Sequence, residues 1–125
     1  MQHLESNEQK AVIKWARLAQ REYPCLKWLH CSLSGVKLRS AQEGARLKAE
    51  GMVAGISDIY LPYPNGKYAG LYIEMKKRNI KGQSKGVVSQ AQKEFIDYAN
   101  SVGYKAVVCY GADEAITTIK KYLSV

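Results

Sequence analysis

The segment from Ser57 to Lys77 constrains the fold more than any other part of this 125-residue chain. Two runs, SDIYLPY and YAGLYIEMKK, flank a Pro-Asn-Gly turn, and that combination predicts a β-hairpin. Because side chains alternate along a strand, the second run has two faces. The face with Leu71, Ile73 and Met75 is predicted to be the core face, and the other carries Tyr72, Glu74 and Lys76.

Helices and further strands are predicted on both sides of this hairpin. Three pairs have the capping-box spacing that begins a helix: Ser6 with Gln9, Ser40 with Glu43, and Ser89 with Gln92. They predict helices at residues 7–22, 40–50 and 89–103. LKWLHCSL (26–33) and KAVVCY (105–110) are predicted strands, and GADEAITTIKKYL (111–123) a final helix. The order αβαββαβα predicts an α/β fold, with a mixed sheet of about four strands and helices on both faces.

Length and composition predict one soluble domain spanning residues 1–125. A chain of this size can bury one core but not two independent ones. No apolar run approaches the roughly 18 residues of a membrane span, and the first residues show no signal-peptide core. Cys25, Cys31 and Cys109 form no CxxC pair and are predicted to be reduced core residues without zinc, as in a cytoplasmic protein.

The charge balance indicates a polyanionic partner. Nineteen Lys and Arg against eleven Asp and Glu give a formal charge of +8, and cations that neutralise phosphates release counterions. Nine Tyr stand against a single Phe. Tyrosine suits a surface that faces nucleic acid, but strand propensity explains the same bias, and the sequence does not decide between them.

Asp58 and Glu74 are predicted to lie side by side. If the hairpin turns near Gly66, paired residues have numbers that sum to about 132, which these two satisfy. Directly opposed side chains have Cβ atoms roughly 4.5 to 5.5 Å apart, and like charges there are destabilising. Lys76 projects from the same face. Some cation is therefore expected to offset the two carboxylates.

Two interpretations of this cluster remain open on spacing alone. The first is a surface salt-bridge group on a solvated sheet face, worth roughly 0 to 1 kcal/mol. The second is a site for a hard divalent cation, Mg²⁺ or Mn²⁺, bound by both carboxylates and a backbone carbonyl. Spacing favours the first, and a register shift of one residue would separate the carboxylates.

A family resemblance favours the metal site. GISDIY followed by YIEMKK resembles the D…ExK pattern of the PD-(D/E)xK nuclease superfamily. More narrowly, the chain resembles the VRR-NUC family of virus-type replication and repair nucleases. That family has an early acid on the first helix, a G-x-x-D strand, an E-x-K strand and an S-x-x-Q helix start. The matching positions are Glu8, Gly55 with Asp58, Glu74 with Lys76, and Ser89 with Gln92.

The chain also departs from this pattern. Family members often carry Arg or Asn on the strand that is WLHCSL here, which leaves the roles of His30 and Ser32 open. His30 lies on the predicted inward face of the strand, where a histidine is more often a core residue than a metal ligand. Members commonly have a proline soon after the serine of S-x-x-Q, where this chain has Gln90 within reach beside Gln92.

The resemblance implies a restriction-endonuclease-like core and a Mg²⁺- or Mn²⁺-dependent endonuclease that hydrolyses DNA. Asp58, Glu74 and the Met75 carbonyl would hold the metal, and Glu8 would reach it directly or through water. Glu8 is equally explained by the preference for acids in the first turn of a helix. Lys76 would orient or deprotonate the attacking water, and Gln92 would hydrogen-bond Lys76, the water or a substrate phosphate.

The resemblance also implies a homodimer acting on duplex or branched DNA, including four-way junctions, in replication, recombination or repair. The small size suggests a viral, phage or mobile-element protein acting inside its host cell. Residues that follow the E-x-K strand are predicted to bind the DNA backbone. They are Lys77, Arg78, Lys81, Lys85 and Ser89. The alternative for the four cations is a solvated loop without a ligand.

Other functions remain as alternatives or are rejected. GQSKG lacks Walker spacing, so no nucleotide cofactor is expected. A non-catalytic nucleic-acid-binding module that keeps the fold is one alternative. A metal-independent interaction protein is the other.

Overall fold

The structure is a computed structural model that describes residues 4–32, 38–78 and 86–125. Its four strands form one mixed sheet in the order β1-β2-β3-β4: β1 His30–Cys31, β2 Ile59–Leu61, β3 Leu71–Lys76 and β4 Lys105–Tyr110. The pairs β1/β2 and β2/β3 are antiparallel, and β3/β4 is parallel. Four helices accompany it: α1 Leu4–Leu18, α2 Ala41–Ala49, α3 Gln90–Ser101 and α4 Ala112–Leu123. The α/β fold with a mixed four-stranded sheet is confirmed.

The register of β2 and β3 is the one that the hairpin predicts. Ile59 pairs with Ile73, Tyr60 with Tyr72, and Leu61 with Leu71. Every pair sums to 132, so one further step places Asp58 opposite Glu74. β2 ends at Leu61, directly before Pro62, because proline has no N–H to give to a strand ladder.

The sheet is covered on both faces. Alternate β3 side chains pack with α1 and α4 in one buried cluster, which includes Leu71, Ile73, Met75, Val12, Ala16, Ala115 and Ile119. The opposite β3 face meets α3, where the Tyr72 ring stands edge-on to Phe95 with 4.9 Å between centroids. Burial of apolar area on both faces therefore fixes the strand that carries Glu74 and Lys76.

The first helix differs from its prediction. It begins at Leu4, so Ser6 lies within it and is not its N-cap, and the predicted start at residue 7 is wrong. It ends at Leu18, and a 3-10 turn at Ala19–Arg21 continues it. The α3 cap is as predicted, because Ser89 and Gln92 form a complete capping box. At α2 only half of the predicted box forms: Ser40 accepts from the Glu43 N–H, but the Glu43 carboxylate accepts from the Arg39 N–H.

The predicted strand at residues 26–33 is wrong over most of its described length. Pro24–Trp28 is a 3-10 helix, and only His30–Cys31 is strand. Leu26 and Leu29 are both buried, a spacing of three that suits a 3-10 turn, whereas Trp28 is 63% exposed. The Arg17 guanidinium donates to the Leu26 and Leu29 carbonyls, which satisfies groups that a strand would have paired.

Two core predictions on this segment are also wrong. His30 and Cys31 are exposed, because β1 is a two-residue strand at the edge of the sheet. Cys109, on β4, is buried as predicted. Within the described ranges, no helix has the length and apolar character needed to cross a membrane.

Candidate active site

Asp58 and Glu74 face each other where β2 begins. Asp58 directly precedes β2, and its backbone carbonyl accepts a hydrogen bond from the Ser32 N–H at 2.9 Å. Its Oδ2 accepts from the Met75 N–H at 2.7 Å. The backbone of β3 therefore orients this carboxylate, as the predicted juxtaposition requires.

Glu74 and Lys76 are buried, and this is the property that separates the site from ordinary surface. Glu74 is 2% exposed and Lys76 is 7% exposed. Lys76 Nζ lies 3.8 Å from Glu74 Oε2. Burying charge costs several kcal/mol unless it is compensated, which leaves the solvated salt-bridge interpretation without support. The chain keeps this charged pair inside at a cost to stability, as functional sites commonly do.

Gln92 connects this pair to α3. Its Nε2 donates to Glu74 Oε2 at 3.0 Å, and its Oε1 accepts from the Ser89 N–H at 2.8 Å. Gln90, the alternative that the sequence left open, points to Glu94 at 3.4 Å. Of the two glutamines, Gln92 is the one that contacts the carboxylate.

Gly55 allows the segment before Asp58 to approach α3 closely. Its φ is +91°, and a Cβ at this position would lie 2.5 Å from the Ala91 carbonyl oxygen. A side chain is therefore excluded for two reasons, backbone conformation and space. The glycine of the G-x-x-D motif brings together the Asp58 and Gln92 ends of the site.

Glu8 lies at a neighbouring position and has other partners. Its Oε1 accepts from the Ala112 N–H at 3.2 Å, and its Oε2 pairs with Arg78 Nε. The Gly111 N–H donates to the Lys76 carbonyl at 3.0 Å, so this contact adjoins the end of β3. Glu8 is thus held by the start of α4 and by Arg78. Its metal-binding role stays a prediction.

The described residues that were predicted to bind DNA differ in exposure and in their partners. Arg78 is half-exposed and pairs with Glu8, and Lys77 is half-buried. Ser89 is exposed, with its hydroxyl accepting from the Gln92 N–H at 3.2 Å. Lys81 and Lys85 lie outside the described residues.

An aromatic row adjoins the carboxylates, and sequence reasoning did not single it out. The Tyr60 and Tyr72 rings stack with centroids 4.2 Å apart. They lie on the same face as Asp58 and Glu74, two residues away along each strand. Burial raises the pKa of both phenols, and nearby Tyr104 adds to the effect, so both are neutral at physiological pH. The alternation of side chains on β3 is the signal that would have found them.

The two residues at the outer end of this face have local roles. His30 Nδ1 lies 2.8 Å from the Trp28 carbonyl, and its ring stands edge-on to Tyr60. Although Cys31 is an exposed residue, the protein shields its sulfur from part of the solvent, and this burial raises the pKa of the thiol. A hydrogen bond from Gln9 lowers this pKa, and the Asp58 charge raises it. Cys31 is therefore a thiol at neutral pH, which argues against a thiolate nucleophile here.

The donor set at this site fits a hard divalent cation. The Asp58 and Glu74 carboxylates come from opposed positions on neighbouring strands, and Asp58 contacts the Met75 backbone, whose carbonyl would be a third oxygen donor. Within residues 4–32, 38–78 and 86–125, no three side chains of His, Cys, Asp or Glu converge as a metal site. Mg²⁺ commonly takes only one or two carboxylates and completes its shell with water and phosphate, so two suffice.

A mixed α/β sheet that holds a D…E-x-K set, with its Glu74 and Lys76 buried, beside a helix-borne glutamine defines a nuclease-type protein. The family described as VRR-NUC domain matches residues 3–113, and the chain belongs to this family. A solved structure named "VRR_NUC domain protein" is 32% identical, with a TM-score of 0.75. The match covers 97% of this chain and 88% of that one. No curated protein matches the chain.

Membership in this family establishes the general activity. VRR-NUC domains are nucleases, so the chain is a nuclease with a DNA substrate. Nucleases of this kind generally use a divalent metal.

Proposed function

We propose that this protein is a Mg²⁺- or Mn²⁺-dependent endodeoxyribonuclease that acts on branched DNA, including four-way junctions, as a homodimer. The observation that carries the proposal is the buried Glu74 carboxylate, which Lys76 and Gln92 both approach at its Oε2 atom. A buried cation and a half-buried amide on one carboxylate are typical of a preorganised reaction site.

Asp58, Glu74 and the Met75 carbonyl would hold the cation, with Glu8 contributing directly or through water. When bound, the cation supplies an acidified water and stabilises the negative charge of the transition state. The Met75 N–H fixes Asp58 at 2.7 Å, and Gln92 fixes Glu74 at 3.0 Å. Both carboxylates are therefore oriented by the protein before any ligand arrives.

Lys76 would hold the attacking water and offset the charge that grows on the phosphate. Its ammonium group is buried and lies beside Glu74, where little solvent screens it. The water oxygen bonds to phosphorus as the water releases a proton to solvent, the bond from phosphorus to the leaving oxygen breaks, and that oxygen takes up a proton from solvent. Lys76 serves the first of these events by positioning the nucleophile.

Backbone phosphates would bind along the segment that follows β3. Lys77, Arg78, Lys81 and Lys85 succeed the E-x-K strand in sequence, and the Ser89 end of α3 adjoins Glu74 through Gln92. The Arg78 side chain is 53% exposed, so it can reach a phosphate while it remains paired with Glu8.

A homodimer follows from the need to cut two strands. The described chain carries one D…E-x-K set, and cutting both strands of a junction symmetrically calls for two copies related by a twofold axis. Light scattering with and without a four-way junction tests this part of the proposal. A single protomer on a cleaved junction would contradict it.

Two experiments test the core of the proposal. Titration calorimetry with Mn²⁺ should show binding that Asp58→Ala abolishes. A cleavage assay on single-stranded, duplex, flap and four-way DNA, with Glu74→Ala as the inactive control, should show metal-dependent cutting that is fastest on branched DNA. Binding of DNA without cleavage of any substrate would instead indicate a non-catalytic module. Absence of both Mn²⁺ and DNA binding would indicate a metal-independent interaction protein.

A further inference from the structure

A cavity of about 460 Å³ lies on the opposite side of the sheet from Glu74. It is bordered by the connection before β3, the start of β4 and the last turns of α4, and its polar lining includes Asn65, Lys67, Tyr68, Lys105, Lys121 and Tyr122. Lys105 pairs with Leu71, three residues before Glu74, or roughly 10 Å along the strand. The cavity is therefore separate from the candidate active site.

Three lysines line this cavity, and its described lining contains no acidic side chain. Among the described residues that line it, none is Asp or Glu, and no ion pair joins Lys67, Lys105 or Lys121 to a carboxylate in those ranges. Lys67 Nζ lies 5.6 Å and Lys105 Nζ 5.4 Å from the centroid of the Tyr68 ring. The two ammonium groups are thus at most 11.0 Å apart, the sum of those distances.

Hydrogen bonds hold the segment that carries Tyr68, the ring contacted by Lys67 and Lys105. Asn65 Oδ1 accepts from the Lys67 and Tyr68 N–H groups at 2.9 and 2.8 Å, and Asn65 Nδ2 donates to the Tyr122 carbonyl at 2.9 Å. The Tyr122 hydroxyl donates to the Tyr63 carbonyl at 2.7 Å. Such a network fixes the loop before a ligand binds, so little entropy is lost on binding.

We infer that this cavity binds phosphates of the DNA backbone at a second contact, away from the bond that is cut. Lysines held near one another repel until an anion lies between them, and a backbone phosphate supplies that anion. Cation–π contacts with the Tyr68 ring hold the Lys67 and Lys105 ammonium groups beside the cavity. The inference rests on the proposed function only in taking DNA as the polyanion, and it does not require that DNA be cut.

Fluorescence anisotropy with a linear duplex, in the absence of divalent metal, tests this contact. The triple variant Lys67→Gln, Lys105→Gln, Lys121→Gln should bind about 10-fold or more weakly near 100 mM salt. The slope of log K against log salt should fall by about 2 to 3, since each lost phosphate contact removes about 0.9. The corresponding Lys→Arg triple variant should bind like the parent, and circular dichroism checks that both variants fold.

The matched control carries the same charge change elsewhere. Lys10, Lys14 and Lys48 are exposed on α1 and α2, and Lys→Gln at all three should change the slope by less than about 1. Equal losses in the two Lys→Gln triple variants would overturn the inference, because only net charge would then matter.

Two further readouts separate this site from the active site and from small anions. In a cleavage assay the cavity variant should raise KM and leave kcat unchanged, and a fall in kcat alone would contradict a role in binding. In ¹H–¹⁵N spectra, duplex DNA should shift the Lys67 and Tyr68 amides. Shifts with inorganic pyrophosphate but not with duplex would overturn the assignment to DNA. If no DNA is cut at all, anisotropy and spectra still decide the matter.

Discussion

Gln92 donates from Nε2 to Glu74 Oε2 over 3.0 Å, and with its other amide atom, Oε1, it accepts the Ser89 N–H over 2.8 Å. One side chain thus caps α3 and holds the buried carboxylate of β3. The helix start and the reaction site are therefore coupled, and a change at Gln92 must affect both stability and rate.

Gln92→Ala is expected to lower stability by about 2 kcal/mol, because a buried carboxylate loses a donor and the helix loses half of its capping box. Cleavage should slow at least tenfold as Glu74 loses its orientation. Chemical denaturation and single-turnover kinetics measure the two effects. Gln90→Ala is the control, since the Gln90 side chain donates to the exposed Glu94. Similar losses in both variants would show that the contact to Glu74 is unimportant.

Lys76→Met is expected to reduce kcat by about 10²-fold or more, because the attacking water loses the group that positions it, with little change in DNA affinity. The neighbouring Lys77→Ala should do the opposite, raising KM with kcat retained, because Lys77 is assigned to phosphate contact. Lys76→Arg should not restore the rate, since a guanidinium is larger and planar. Steady-state kinetics on one DNA substrate distinguishes these outcomes, and equal effects at the two lysines would contradict the assignment.

The parts of the fold that the sequence predicted are those set by local periodicity. The β2–β3 register follows from side-chain alternation and the position of the turn, so Asp58 and Glu74 could be placed opposite each other from residue numbers alone. The α3 start followed from the Ser89 and Gln92 spacing. These features depend on residues that are close in sequence or joined by one hairpin.

The parts that the sequence missed depend on distant segments. Residues 24–28 form a 3-10 helix whose carbonyls are satisfied by Arg17 on another helix. Glu8 and Arg78 pair across 70 residues of chain, a contact that no local pattern encodes. The burial of Glu74 and Lys76 results from α3 packing on the sheet, which alternation alone cannot distinguish from solvent exposure.

Gly55→Ala is expected to destabilise the protein by clearly more than the roughly 1 kcal/mol of a left-handed backbone, because its Cβ would also meet the Ala91 carbonyl at 2.5 Å. Gly51→Ala is a matched control, with φ of +109° but no heavy atom within 4 Å of the added Cβ. Thermal unfolding of the two variants measures their stabilities. The difference between them is the part due to the contact with the Ala91 carbonyl, because both positions have a positive φ. Equal losses of stability would contradict the expected collision between the added Cβ and the Ala91 carbonyl.

Alkaline pH is expected to reduce stability through Tyr122. Burial raises the pKa of its hydroxyl from the usual 10.0 to about 12, and neighbouring ionisable groups add to the effect. Because the folded-state pKa lies above the unfolded one, this stabilising contribution is complete below pH 10 and is lost as pH rises towards 12. Tyr122→Phe loses the hydrogen bond to the Tyr63 carbonyl, so it should be less stable at pH 8. Chemical denaturation at pH 8 and pH 11 measures the free energy of unfolding of the parent and of the variant. The difference between the two should be smaller at pH 11, since only the parent has this phenol to ionise. A gap that stays constant over that interval would mean that the Tyr122 hydroxyl titrates alike in the folded and unfolded chains.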